Sequence, residues 1–276
     1  VNLIVQMLVS IDTGFLVLAC GLFAMQFLIA CARWMLILGR QSCAVTPRTA
    51  LSIFGTGTLA NLFLVTSVAG MSVRAALLLR AGASLPGALA SITAERIAAS
   101  AGLALCGIAG VIFALPELQR LVGTWVSPVG AVVLMVGGFV IAMALLAYLT
   151  RFTWMRGFMA TVWAAFAGPG QAVQMVGASA AIVLLGFAGM AALANGMGLS
   201  IDLMFFLSVM PAVAFISALP ISFGGWGVRE GAMVAGLSIY SVPPDSAMAL
   251  SISYGLAGLL VALLLGASLA LLGQQR

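Results

Sequence analysis

A chain of 276 residues that is 64% apolar and 6% charged carries too little charge for a water-soluble domain, where about a quarter of residues are charged. The composition predicts an all-α, polytopic transmembrane helical bundle, and no alternating ten-residue strands point to an outer-membrane barrel. The net charge of +5 comes wholly from arginine, without lysine or histidine; scattered rather than clustered, it reports membrane topology and excludes nucleic acid as a partner.

The apolar segments are too many and too long for a signal peptide and a soluble domain. The chain reads as a single membrane domain, 1–276, with halves 1–150 and 151–276. It opens on Val1 rather than Met, which suggests a trimmed N-terminus. Cys20, Cys31, Cys43 and Cys106 stand singly and read as small apolar residues. Without histidine the commonest general base and metal ligand is missing. No cofactor, metal or catalytic group is therefore expected, and the protein is read as a non-enzyme.

In chain order, residues 1–11 suggest an interfacial helix or the tail of a span. A first span covers about 12–38. Thr46-Pro47 is an N-cap followed by proline at the first helical position. Residues 49–69 are apolar but broken by Gly55, Gly57 and Asn61, and lead into Thr66–Arg74. Ser84 and Pro86 open a span over 85–114, closed by Pro116-Glu117. Ser127-Pro128 opens another over 127–150. Residues 152–168, with Trp154, Arg156 and Trp163, suit a helix lying at the interface. Further spans cover 171–195 and 246–272, and between them lies an apolar segment, 201–219. Trp34, Trp125, Trp154 and Trp163 fall near span ends, as an aromatic belt does.

The unusual stretch is Ser217–Ala232. A proline, four glycines and Arg229-Glu230 interrupt an apolar run. Broken backbone at membrane depth must be covered by protein or line a wet cavity, and ionisable residues there are costly and functional by default. At an offset of 155, Ser67, Gly70, Val73 and Arg74 match Ser222, Gly225, Val228 and Arg229. Paired interruptions in two halves point to a transporter binding site. With both segments re-entrant, Arg33, Arg40, Arg48, Arg74, Arg80, Arg151, Arg156 and Arg276 fall on one side and Arg120 and Arg229 on the other. This asymmetry fits the positive-inside rule and predicts two inverted repeats, each with a broken or re-entrant helical hairpin.

Arg74 and Arg229 are planar forks suited to phosphate or carboxylate, or else cap a helix or snorkel. The turns holding Ser67 and Gly70, and Ser222, Gly224, Gly225 and Gly227, offer backbone N–H groups to an anion. Glu230 either holds Arg229 or meets a substrate amine. Glu95-Arg96 lies about 17 Å into its helix, near the midplane. The two point about 100° apart, so they need not pair. Glu95 is either a structural salt-bridge partner of Arg74 or Arg229, or with Arg96 part of a polar path.

Pro220-Ile-Ser-Phe-Gly-Gly-Trp-Gly-Val-Arg-Glu230 closely resembles the signature of the lysylphosphatidylglycerol synthase transmembrane, flippase-like family. Arg33-Trp34, Gly70, Arg74, Arg80-Ala-Gly82 and Glu95-Arg96 follow the same order, over residues 30–272. The first motif departs from the family's Pro and Gly-Gly-Asp, with Val65 and Ala69-Gly70-Met71 in their place, and Glu95 stands for an Asp. The resemblance implies a stand-alone member without a synthase domain, in a prokaryotic inner membrane. It would move an anionic or modified phospholipid, or a polyprenyl- or hopanoid-linked lipid, between leaflets. The alternatives are a scaffold subunit of a lipid-modification pathway and a lipid-linked glycosyltransferase. The implied partners are the membrane lipid, a second copy of the chain, or proteins of lipid biosynthesis.

Overall fold

The computed structural model describes residues 7, 10–41, 45–63, 69–122, 153–201, 203–218, 227–238 and 240–272. The expected span 127–150 and the turns at 64–68 and 219–226 lie outside them. Among the described residues there are no strands. Helix α1 spans Thr13–Arg40, α2 Pro47–Phe63, α3 Ala69–Arg80, α4 Leu85–Val122 and α5 Thr153–Ala164. In the second half α6 spans Pro169–Gly196, α7 Leu203–Ser208, α8 Met210–Ala218, α9 Val228–Ser238 and α10 Pro244–Leu272.

Local chemistry sets the helix starts. Asp12 caps α1, accepting from the Gly14 and Phe15 amides at 2.9 and 3.2 Å. The Thr46 hydroxyl accepts from the Thr49 amide at 3.2 Å and Pro47 follows it, while Ser84 does the same for Gly87 on α4. Each satisfies donors that a helix start leaves bare. The expected stop at Pro116 is wrong, since α4 continues to Val122. A proline deletes one backbone donor, and membrane helices absorb that loss locally.

Four described helices are long and apolar enough to cross a membrane: Thr13–Arg40, Leu85–Gly110, Pro169–Gly196 and Pro244–Leu271. Large apolar side chains such as Val17, Val173 and Leu264 point outward, where lipid rather than water receives them. By contrast α2 and α3, with 17 and 12 residues, are about 26 and 18 Å long, shorter than a ~30 Å hydrocarbon core. They fold against each other as a hairpin, with Gly70 seated on Gly57 and Asn61.

The helix order repeats. The starts Thr13, Pro47, Ala69 and Leu85 recur 156, 156, 159 and 159 residues later as Pro169, Leu203, Val228 and Pro244. Contacts repeat with the order. Helix α1 packs along its own counterpart α6, α10 covers α2, and α4 covers α7 and α8. The last long helix of each half therefore covers the short segment that follows the first long helix of the other, α2 under α10 and α7–α8 under α4. Glycines permit the close approach. A Cβ at Gly55 would lie 2.5 Å from the Gly266 carbonyl oxygen, and one at Gly110 would overlap the Leu207 carbonyl. Small residues at such crossings are how membrane helices gain contact without a hydrophobic driving force.

Candidate functional site

The first cluster forms where α3 meets α1, α2 and α4. Gly70 has no room for a side chain, and its amide donates to Asn61 Oδ1 at 2.7 Å. Gly57 leaves a groove across α2 for the Arg74 side chain; a Cβ there would sit 2.8 Å from Arg74 Nε. The guanidinium lies 4.4 Å from the centroid of Phe54 and 5.4 Å from that of Trp34, within range of cation–π attraction. Arg74 Nη1 donates to Glu95 Oε2 at 2.7 Å. The other carboxylate oxygen is 3.8 Å from Arg33 Nη2, an ion pair without a hydrogen bond.

Arg33 finds its hydrogen bond on α6. Its Nη1 donates to the Ser179 hydroxyl, which in turn donates to the Met175 carbonyl at 2.7 Å. Gly102 on α4 abuts the Ser179 backbone, so four helices converge on this node. Arg33, Arg74 and Glu95 are all buried, and Trp34 is wholly so.

The second cluster is built by α9 and α10. Gly227 has φ +84°, which glycine adopts without steric cost. Glu230 is the third residue of α9, and its Oε2 accepts the Gly227 amide. This is half of a capping box, satisfying a donor the helix start would leave bare. Glu230 Oε1 accepts from Arg229 Nη2 at 2.6 Å, Arg229 Nε at 3.1 Å and the Ser251 hydroxyl at 3.3 Å. The Arg229 guanidinium lies against Gly255, where an added Cβ would be 3.1 Å from its Nη1.

Arg229 also forms part of the wall of a cavity of about 360 Å³ between α1, α6 and α10. Phe23, Phe27, Ile182, Tyr254 and Gly258 make it mainly apolar, with Gln26 as a second polar side chain. Aromatic rings join the two clusters. Phe54, under Arg74, meets Phe27 edge-on at 5.3 Å. One helical turn away, Phe23 meets Tyr254 at 5.3 Å, and Tyr254 lies 5.9 Å from Arg229.

Of the residues singled out in the sequence, Arg74, Glu95 and Gly70 meet in the first cluster and Arg229, Glu230 and Gly227 in the second. Among the described residues Glu95 pairs with Arg74 and Arg33, not with Arg229. Arg96 is exposed while Glu95 is buried, as their angular separation required, so Arg96 takes no place in the cluster. Ser67, Ser222, Gly224 and Gly225 lie outside the described residues.

Two readings need correction. Trp34 is not a belt residue but a buried plate beside Arg74. Arg33 and Arg74 are not loop charges, so they leave the topology count. Sequence reasoning also left Asn61, Ser179, Ser251 and Tyr254 without a role. A signal existed for Asn61, a lone amide in an apolar helix, and for Ser251 and Tyr254, three apart on one face of α10. Ser179 gave none.

Paired charges buried between helices that cross a membrane define an integral, multi-pass membrane protein with a polar interior. The chain belongs to the family described as the lysylphosphatidylglycerol synthase TM region, whose model matches residues 1–266. No curated protein and no solved structure matches it.

Proposed function

We propose that this protein is a lipid flippase that carries an anionic or modified phospholipid, or a polyprenyl- or hopanoid-linked lipid, between leaflets of a prokaryotic inner membrane. The cavity beside Arg229 carries this reading. Its walls are apolar, yet a guanidinium stands in them, which is the complement of an amphiphile. In this reading the headgroup passes between Arg229 and Arg74 along the aromatic rings, while the tails stay in lipid. The short arms of α2 and α3 support a re-entrant hairpin, and the repeated helix order supports a second, inverted one at α8 and α9.

The reading is without chemistry on the substrate. The Ser217 hydroxyl, the nearest thing to a nucleophile in the motif, donates to the Val213 carbonyl at 2.6 Å. The test is a vesicle assay. Protein is reconstituted with fluorescent phosphatidylglycerol and phosphatidylcholine, and a membrane-impermeant quencher reads the outer leaflet. Wild type should expose inner-leaflet label, and R229Q should slow exchange by at least about tenfold, the effect of one lost charged hydrogen bond. Wild-type rates equal to those of empty vesicles for every headgroup would reject transport. A scaffold role would instead leave the cellular phenotype intact in R229Q and lose it on deletion.

A further inference from the structure

The first cluster carries more positive than negative charge. Arg229 pairs with Glu230, while among the described residues Arg33 and Arg74 share Glu95 alone, which leaves one buried positive charge over. Arg33 is the less compensated of the two. Its carboxylate contact is 3.8 Å and its hydrogen-bond acceptor is a neutral hydroxyl. An uncompensated ion in a dry interior is among the costliest features a membrane protein can hold.

Hydrogen bonding shows the same imbalance. Among the described residues, Arg33 Nε, Arg74 Nε and Trp34 Nε1 are buried without a partner. These residues are 5%, 7% and 0% exposed. All three orphan groups are N–H donors, and the fourth buried orphan, Gln41 Oε1, lies two helical turns beyond Trp34 at the end of α1. A surplus cation and unpaired donors on residues linked through Glu95 and the Arg74–Trp34 contact call for the same missing object, a group with negative charge and several acceptor oxygens.

We infer that the Arg33–Trp34–Arg74 cluster is a binding site for a singly charged phosphate oxyanion, with Glu95 as the internal carboxylate that sets the site's net charge. This deepens the transport reading and rests on it for the source of the anion, a phosphodiester headgroup. A free phosphate offers the same chemistry. The first half-site then receives the anion, and the Arg229–Glu230 pair is the site it passes to or from.

The test uses the full chain in non-ionic detergent and follows the thermal unfolding midpoint, which rises with any ligand that binds the folded state alone. One arm titrates inorganic phosphate against chloride at constant ionic strength. The other titrates phosphatidylglycerol against diacylglycerol, which lacks the phosphate, in the micelle. A rise with phosphatidylglycerol alone places the anion on a lipid. A rise with inorganic phosphate alone makes it a soluble anion, and a rise with both shows the shared chemistry. Each supports the site.

R33Q should weaken the apparent affinity by about tenfold or more, E95Q should tighten it by a similar factor, and the exposed Arg80→Gln should leave it unchanged. A wild-type midpoint indifferent to both probes overturns the inference, as does R33Q binding like wild type or E95Q binding no tighter. Should E95Q not fold, R33K against R33Q decides. The charge-keeping variant must keep the response that the neutral one loses, and equal responses reject the site. Anion binding without lipid exchange would sink the transport reading and leave this site; lipid exchange without anion binding would do the reverse.

Discussion

Replacing Glu230 with Gln strikes a carboxylate that accepts four hydrogen bonds, from the Gly227 amide, Arg229 Nε, Arg229 Nη2 and Ser251 Oγ. The Gln oxygen can still face Arg229, but its amide then turns a donor toward the Gly227 N–H. Losing that cap costs about 1 kcal/mol. Leaving Arg229 without its anion costs up to about 3–5 kcal/mol for a fully buried pair. Arg229's side chain is 16% exposed, which lowers this to about 2–3 kcal/mol. The sum, about 3–4 kcal/mol, lowers the folding equilibrium constant by a few hundred-fold. It also lowers Tm by on the order of 10 °C in detergent, at ~2–4 °C per kcal/mol for a chain near this size. The decisive measurement is a double-mutant cycle with R229Q, read by thermal unfolding. With the cation also gone, the charge term vanishes, so the double variant should recover about 2 kcal/mol relative to the sum of the singles. Additivity within about 0.5 kcal/mol would show that Glu230 acts as a helix cap and not as the partner of Arg229.

Three further outcomes follow from the contacts. Gly55→Ala puts a methyl 2.5 Å from the Gly266 carbonyl oxygen and 2.8 Å from the Ala270 amide. Helices α2 and α10 must then part by about 1 Å, costing about 1–3 kcal/mol in thermal unfolding, while Gly21→Ala, with nothing within 4 Å, should be silent. Trp34→Ala should cost about 3–5 kcal/mol as a core truncation and Trp34→Phe much less, whereas Trp163→Ala, at a residue 43% exposed, should stay within about 1 kcal/mol. Ser179→Ala leaves Arg33 without its acceptor and should lower stability by about 1–3 kcal/mol, measurable by the same unfolding assay.

The fold was legible wherever one residue type has one local use. Thr46, Ser84 and the proline at 47 mark helix starts because capping and a fixed φ act within a single turn. Glycine-broken segments flagged the two polar clusters, since a glycine next to an arginine in an apolar run has few uses. Arg74 with Glu95 was also within reach, because a charge at the midplane must find its opposite. The rest depended on tertiary placement. Trp34 looks like an anchor because it lies near a span's end, and it is the packing of α2, α3 and α4 against α1 that buries it. Ser179 is one of many serines in apolar helices, and nothing local separates it from one that merely bonds its own backbone. Arg33's burial follows from the α1–α6 contact, which no pattern in either helix announces, and with it goes the charge surplus of the first cluster.

The covering of α2 by α10, a helix of the other half, has a consequence for synthesis. Helix α2 ends at Phe63, and the helix that covers it, α10, begins at Pro244. At ~5–20 residues per second, α2 leaves the ribosome about 10–40 s before its cover exists. Over that interval the groove that Gly55 keeps open for Gly266 has no occupant from its own chain. The first hairpin therefore waits in lipid, or against the insertion machinery, until α10 has been made. Its burial is paced by α10, and a ribosome that stops short of Pro244 releases a first half with its glycine face bare.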